Sequence, residues 1–470
     1  MLRSLYLRPI RPRGARTPAC RVGTPADAWF RQTRRDESRR GTQECVRHTT
    51  ILGLLLCAAI HAQSLPTLTL KDAEAMALQN HPQIQAAQHE AFYAGQQITI
   101  NRAPLYPQIT GDLTGSQANS LARAGAGDLA ASRLFDRFGQ GVMVQQLITD
   151  SGRTPNLIAS SRLQAQAADK DLQTTRYGVL LQVNRAYFNV LRAQGVAKVA
   201  AQTVAARQLL DDQVTELAKN GLRSQVDVSF ADVNVSQAKL LLLGAQEGVE
   251  QAMAELGAAL GSDQPANFQL ADEPLPAGPP DKADDLIAQA VANRPELASL
   301  KLARDAAYKF ADAEKDLSRP TVNAAAVAGF LPLINSPGTP AEYESIAANV
   351  SIPLFNGHLF AARRAAAGER AMESDQKLRD QQERIFRDVR VAWAGAITAY
   401  QRIDVTAQFM RQAALALDLA KGRYDLQLAS IVELTQAQLN VTEAEIENLS
   451  AKYDYQSQYS LLQYTIGLLR

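Results

Sequence analysis

His81, His89 and Glu90 are the residues whose types come nearest to a metal site, and their spacing argues against one. His81 to His89 is an eight-residue step, and no third convincing ligand accompanies the pair. A structural or catalytic zinc site needs three or four converging N, O or S ligands. His81 also precedes Pro82, which places it at a helix start, with His89 and Glu90 beyond it on a solvated helix face. The chain has no Gly-rich phosphate loop, no HExxH and no GxSxG, so neither nucleotide, metalloprotease nor serine-hydrolase chemistry has its residues. All three cysteines, Cys20, Cys45 and Cys57, lie within the first 62 residues. No enzyme is expected, with no catalytic residue, no cofactor and no metal.

With no reacting group to place, the elements themselves carry the argument. QNHPQIQAAQHEAFYAGQQ (79–97) returns in kind as ANRPELASLKLARDAAYKF (292–310). Pro82 and Pro295 lie 213 positions apart, as do Pro107 and Pro320. The offset then becomes 206 and carries Asp150 to Asn356, Ala186 to Ala392, Ser224 to Ser430, Asn234 to Asn440 and Gly261 to Gly467. Such a period is far above that of solenoids, so one large unit has been duplicated in tandem. The step between offsets leaves seven extra residues in the first copy between its proline and its turn, and variable length of that kind marks a loop.

The near-zero net charge of +1 hides an asymmetry. Residues 1–62 hold twelve Arg, no Lys and four acids, a local +8, which leaves the remainder at −7. A mildly acidic body offers no footprint for nucleic acid. The segment 46–62 combines a basic start, an apolar run from Ile51 to Ile60 and a small residue, Ala62, at the expected cut. It reads as a secretory signal peptide. Residues 1–45, rich in Arg and Pro, are either an over-called translation start, with Val46 the true first residue, or a disordered basic tail. Cleavage would remove every cysteine, leaving no disulfide framework. Lipid attachment at Cys57 is disfavoured by the bulk of Leu56. No stretch approaches the roughly 18 to 20 apolar residues that a membrane-spanning helix needs.

No proline interrupts the chain between Pro155 and Pro265, nor after Pro353, and both regions are rich in helix formers. A seam of Val228, Ala231, Val235, Ala238, Leu242, Ala245, Val249, Ala252, Leu256 and Ala259 repeats at alternating steps of three and four. That is coiled-coil spacing, and it demands a partner helix along its length. The second copy starts the same way at Leu434, Ala437, Val441 and Ala444, then turns polar at Asn448 and Gln458. Helical hairpin tips are expected at about 219–227 and 426–433. Each copy also carries a pair of alternating segments, about 108–148 and 321–355, where Ile109, Gly111 and Leu113 face away from Thr110, Asp112 and Thr114. Ten residues is the length of a tilted membrane strand. Four strands cannot close a barrel, so several chains must share one. The first structural repeat is then 63–262, a Pro-rich linker 263–281 wraps the waist, and the second repeat is 282–470. Trp29 and Trp393 acquire no role.

At this point the sequence resembles the TolC family of outer-membrane efflux and secretion channels. The carrying motifs are LTLKDAEAMALQNHPQI (68–84), ITDSGRT (148–154), VSIPLFNG (350–357), RYDLQLASIVELTQAQLNV (423–441) and the closing LLQYTIGLL. The resemblance implies a mainly α fold with a membrane β part: a long coiled-coil helical barrel, plus four strands per chain contributing to a 12-stranded barrel shared by a homotrimer. It implies an outer-membrane location with the helical barrel in the periplasm. Expected partners are outer-membrane lipid, a periplasmic adaptor protein and an inner-membrane transporter. Family members resemble passive exit ducts whose aperture is narrowed by acids and held by Tyr and Arg links at the second tip. Tyr424 and Glu433 match that pattern, whereas Ala429 and Gln436 stand where the linking Arg and a further acid would be. Arg223 and Asp227, at the equivalent first-copy tip, are then expected to supply a compensating contact, with Glu433 ringing the aperture. The bland reading of the same residues is solvated tip charge. An exit duct for efflux or for type I protein secretion, or a pore-less periplasmic scaffold, are the functions in play, and the membrane-length strands favour a duct.

Overall fold

The structure is a computed structural model. It describes residues 67–469 apart from 118–122, 125–131, 134–136, 263–267, 281 and 335–339. The signal peptide, the segment before it, Trp29 and the three cysteines therefore lie outside the described residues.

The first half runs β1 (Thr67–Leu68), α1 (Leu70–Asn80), α2 (Pro82–Arg102), β2 (Gln108–Ser116), β3 (Arg123–Ala124), β4 (Ser132–Arg133), β5 (Arg137–Thr149), α3 (Arg153–Lys219) and α4 (Gln225–Ala259). The second runs β6 (Gln269–Leu270), α5 (Asp284–Asn293), α6 (Pro295–Asp316), β7 (Thr321–Ile334), β8 (Glu342–Ser351), α7 (Leu359–Asp425) and α8 (Ile431–Thr465). Helices α3 and α7 each hold 67 residues, and α4 and α8 each hold 35. At 1.5 Å per residue the longer pair reaches roughly 100 Å. Their starts follow backbone that only a left-handed turn can supply, at Gly152 (φ 109°) and at Gly357 and His358 (φ 62° and 69°).

Helix α4 packs along α3, and α8 along α7. The alternating seam on α4 supplies that contact: Ala231, Val235, Ala238, Ala252, Leu256 and Ala259 are all buried. Alanine at every other position lets the backbones approach closely. On α8 the seam does not turn away where Asn448 enters. It continues through Ala451 and Tyr455, both buried, because Thr406 of α7 meets the Asn448 amide at 3.4 Å and absorbs its polarity.

The main sheet has the order β2-β5-β7-β8, every pair antiparallel. Opposed residues share a face, so the register sorts the side chains. One face is mainly apolar, with Ile109, Leu113, Val142, Val144, Ala326, Phe330, Ile346 and Val350, and turns polar at Gln140, Glu342 and Glu344 toward the far end; the other is mainly polar, with Thr110, Asp112, Thr114, Gln145, Asn323 and Asn349 beside Met143 and Val327. The apolar face has no cover within the chain: Ile346 is 89% exposed and Leu113 75%. Among the described residues the outer edges of β2 and β8 are likewise unpaired. No helix among the described residues is long and apolar enough to cross a membrane.

Sequence periodicity could not reveal the two-residue parallel pair of β1 with β6, which joins the start of the first half to the linker. Side chains from the long helices pin that linker. The Tyr187 hydroxyl lies between the Leu68 and Ala271 carbonyl oxygens, 2.9 and 2.6 Å away, and shares its one proton with them, and Tyr455 donates to the Ala277 carbonyl. Trp393 gains a role here, its Nε1 donating to the Pro280 carbonyl at 2.8 Å.

Beside this strap Glu74 is half-buried, accepting from Asn184 Nδ2 at 2.6 Å. Burial raises its pKa above 4.5, the Asn184 bond opposes the shift, and Glu273 nearby adds to it. A carboxylate with a raised native pKa costs stability once ionised. The cost is absent below about 4.5, grows as pH rises to the native value, and is constant above it. Glu74→Gln is therefore expected to melt higher than wild type at pH 7 and to lose that advantage at pH 4. An equal offset at both values would show that the Glu74 charge carries no such cost.

Candidate functional site

The two hairpin tips are built by the same turn, closed by equivalent backbone bonds 206 positions apart, with a glycine at its left-handed position in one and a glutamine in the other. After α3, Gly221 takes φ 72° and Ser224 opens α4 with a reciprocal cap, its Oγ accepting from Asp227 N while Asp227 Oδ2 accepts from Ser224 N, both at 3.2 Å. After α7 the left-handed position falls on Gln427 (φ 62°), and Ser430 Oγ accepts from Glu433 N to start α8. A small apolar cluster joins the tips, with Val214, Tyr424, Ile431 and Leu434 buried and Leu210, Val228, Leu417 and Ala429 packed on it.

Of the four residues singled out from the sequence, the structure brings Arg223 and Tyr424 together. Arg223 Nη2 donates to the Tyr424 carbonyl at 2.9 Å, and its guanidinium lies 4.0 Å from the ring centroid. A cation over an aromatic face contributes about 0.5–2 kcal/mol, more as water is excluded. Tyr424 is buried and its hydroxyl has no partner within the described chain. Burial pushes the phenol pKa above 10, with Arg223 opposing and Asp227 and Asp425 adding to the rise. Asp227 itself is spent on the α4 cap.

Glu433 carries a partner that the sequence reading missed. Arg423 Nη1 sits 3.0 Å from its Oε1. Both side chains are about half exposed, so the pair is worth at most about 1 kcal/mol, yet it offsets charge at the tip. The signal was available: Arg423 and Glu433 flank the same turn, and closing the hairpin must bring them together. Ala429 fills the apolar cluster, and Gln436 donates to Asn440 one turn along its own helix at 2.9 Å.

Behind the tip the long helices are tied by polar groups. Buried Arg207 of α3 donates to the Asn234 carbonyl of α4 at 3.1 Å, and Asn234 Nδ2 donates to Thr435 of α8 at 2.9 Å. Desolvation lowers the Arg207 pKa.

The histidines do not converge. His81 is not on a solvated face: it is buried and caps α2, with Nδ1 accepting from Gln83 N at 3.2 Å. Burial lowers its pKa, which favours the neutral ring that this cap requires. His89 instead meets the Phe92 ring edge-on at 6.4 Å. Among the described residues no group of three or more His, Cys, Asp or Glu could hold a metal ion.

Comparison with known proteins places this architecture. The chain is 23% identical over 423 residues to the outer membrane efflux protein BepC of Brucella suis biovar 1, covering 88% of each. It is 26% identical over 420 residues to the alkaline protease secretion protein AprF of Pseudomonas aeruginosa, covering 86% of this chain and 85% of that one. Its fold matches the crystal structure of the outer membrane protein VceC of Vibrio cholerae with a TM-score of 0.71 at 18% identity, covering 85% of this chain and 96% of that one. The model of the family described as outer membrane efflux protein matches residues 75–262 and 286–468. Both halves, with the uncovered sheet and the paired hairpins in each, thus fall within one family, and this chain belongs to the outer membrane efflux proteins.

Proposed function

We propose that three copies of this chain form the exit duct of a tripartite efflux assembly, taking substrates from an inner-membrane pump and a periplasmic adaptor to the outside. One observation carries the reading: a four-stranded sheet with two unpaired edges and an uncovered apolar face, which no single chain can satisfy. Edge β8 of one copy against β2 of the next closes a 12-stranded barrel, four strands per chain, with apolar residues to lipid and polar residues to the lumen. The helices favour the same ring. Val226, Phe230, Val233 and Leu240 leave an exposed heptad stripe on α4, and Val405, Leu415 and Leu419 leave another on α7, which Leu426 continues at its C-cap. Stripes of that kind call for helix partners, and a neighbouring copy supplies them. The equal helix lengths in the two halves support a duplicated ancestral unit, so three chains make six quasi-equivalent hairpin pairs around one axis.

The same relatives include a protease secretion protein, so export of polypeptide by a type I system is the second reading. No reaction is catalysed in either case.

At the periplasmic end, Arg223 clasping Tyr424 takes the place of the link lost at Ala429, and Glu433 rings the aperture with its charge partly offset by Arg423. The test is planar-bilayer recording of the mature trimer. Discrete steps with cation preference are expected, and Glu433→Ala is expected to weaken both that preference and block by divalent cations. Unchanged selectivity would remove the Glu433 ring. A chain that stays soluble without detergent and never conducts would remove the duct.

A further inference from the structure

One row of directly opposed residues crosses the whole sheet: Asp112 on β2, Gly141 on β5, Gly329 on β7 and Tyr343 on β8. Directly opposed residues share a face, and this is the polar one, with Thr110, Asn323 and Asn349. Glycine inside a strand weakens it and marks close approach of something else. Here the something else is the Tyr343 side chain. A Cβ placed on Gly141 would stand 2.5 Å from the Tyr343 hydroxyl, and a Cβ on Gly329 would run into Cζ of the same ring. The tyrosine therefore reaches from β8 across β7 to β5, lying along the wall in a trough that two glycines leave open. Its hydroxyl has no hydrogen-bond partner among the described residues, so a fixed polar contact does not explain the posture. Tyr343 lies eight residues from Ser351, the strand end nearest the helices. At about 3.3 Å per residue that places it roughly 26 Å along the strand, or about 20 Å up a barrel wall whose strands tilt by about 40°, toward the outer mouth.

We propose that Tyr343, bedded on Gly141 and Gly329, is a bore-setting residue of the lumen, which limits the size of cargo that leaves through the outer end of the barrel. The inference rests on the shared-barrel reading above. Flat against the wall, three rings narrow the bore by their own thickness. Lifted off it, they project toward the axis, where pore width decides passage.

The experiment sizes the outer mouth of the reconstituted full-length protein by adding polyethylene glycols of graded mass to the outer side only. Polymer entry from that side reports the outer lumen whether or not the periplasmic aperture is open. Gly141→Ala is the chosen lift, because its new methyl meets the end of a side chain most closely, with the Ala328 carbonyl oxygen at 3.2 Å, whereas one on Gly329 also runs into the Gln140 carbonyl oxygen at 2.6 Å. Gly141→Ala is expected to shift the exclusion cut-off to smaller polymers and Tyr343→Ala to larger ones. The double variant is expected to follow Tyr343→Ala, since a methyl with no ring above it displaces nothing. If Gly141→Ala fails to assemble, Tyr343→Ala alone decides, and a wild-type cut-off in that variant overturns the proposal. A Gly141→Ala cut-off equal to wild type in an intact trimer overturns it too. Failure of the wild-type protein to form any channel would instead remove the barrel reading, and this inference with it.

Discussion

Arg363→Ala is expected to cost about 1–3 kcal/mol, the penalty of leaving a buried acceptor without its hydrogen-bond donor. Glu314, near the end of α6, is 3% exposed, and its two carboxylate oxygens receive Arg363 Nε and Nη2 of α7 at 2.6 and 2.9 Å. A fork-to-fork pair fixes the angle between two helices as well as their distance. Arg363 is itself 44% exposed, so removing the guanidinium takes two charge-assisted bonds from the carboxylate while opening it in part to water, which caps the loss. Arg363→Lys keeps the charge and loses the fork, and should fall between. Glu314→Gln with Arg363→Ala should recover part of the loss, because a neutral amide is cheaper to bury than a lone charge. The control is Lys377→Ala, which breaks an exposed pair to Glu373 of similar length (2.8 Å) and should cost under about 1 kcal/mol. Denaturant unfolding followed by helical circular dichroism at fixed detergent measures all four. If Arg363→Ala and Lys377→Ala cost the same, burial of Glu314 has no energetic consequence.

What the sequence made legible were features that depend on local spacing. The absence of proline from 156 to 264 pointed to long helix, and α3 and α4 occupy most of that span. Period-two alternation at Ile109, Gly111 and Leu113 announced a strand, and β2 covers them with a uniformly apolar-or-glycine face. The heptad on α4 named its own buried residues. What stayed hidden depends on contacts between distant segments. Arg223 and Tyr424 are 201 positions apart; a contact from Arg223 is expected only through the family resemblance, and nothing in either neighbourhood says that the guanidinium of one hairpin will cover a ring of the other. Trp393 looked idle because its partner is a backbone carbonyl at Pro280, 113 positions away, and carbonyls have no sequence signature. His81 stands at the helix start that the proline announces, and only its burial is illegible, for a related reason. A histidine before a helix-starting proline reads as solvent-facing, but its position under Gly261 buries it. The continuation of the α8 seam past Asn448 was missed because the test was hydrophobicity alone, and a polar seam residue with a partner still packs.

Gly261→Ala is expected to destabilise by about 2–5 kcal/mol, from two separable causes. The first is backbone. Gly261 ends α4 at φ 72°, with its N–H bonding the Ala258 carbonyl and the Ser262 N–H bonding the Gly257 carbonyl at 3.1 and 3.0 Å. That is the Schellman closure, and a side chain in the left-handed conformation costs about 1–2 kcal/mol. The second is space. A Cβ at Gly261 would stand 2.8 Å from His81 Cα and 3.1 Å from the Asn80 carbonyl oxygen. Those are backbone atoms of the α1–α2 joint and cannot swing aside, so overpacking adds about 1–3 kcal/mol. Gly467 repeats the arrangement 206 residues later: φ is 73°, the same two closing bonds reach Tyr464 and Gln463, and a Cβ would stand 2.9 Å from the Asn293 carbonyl carbon. The two sites share no neighbour, so Gly261→Ala with Gly467→Ala should sum the single losses. Gly221→Ala isolates the first cause, since Gly221 has φ 72° at the α3 tip with nothing within 4 Å of the new methyl. Its loss should be the backbone portion only. Thermal melting of the three single variants distinguishes the causes: Gly261→Ala and Gly467→Ala should fall well below Gly221→Ala. Were all three to melt together, the close seating of each return helix on its proline joint would contribute nothing, and the glycines would be there for the turn alone.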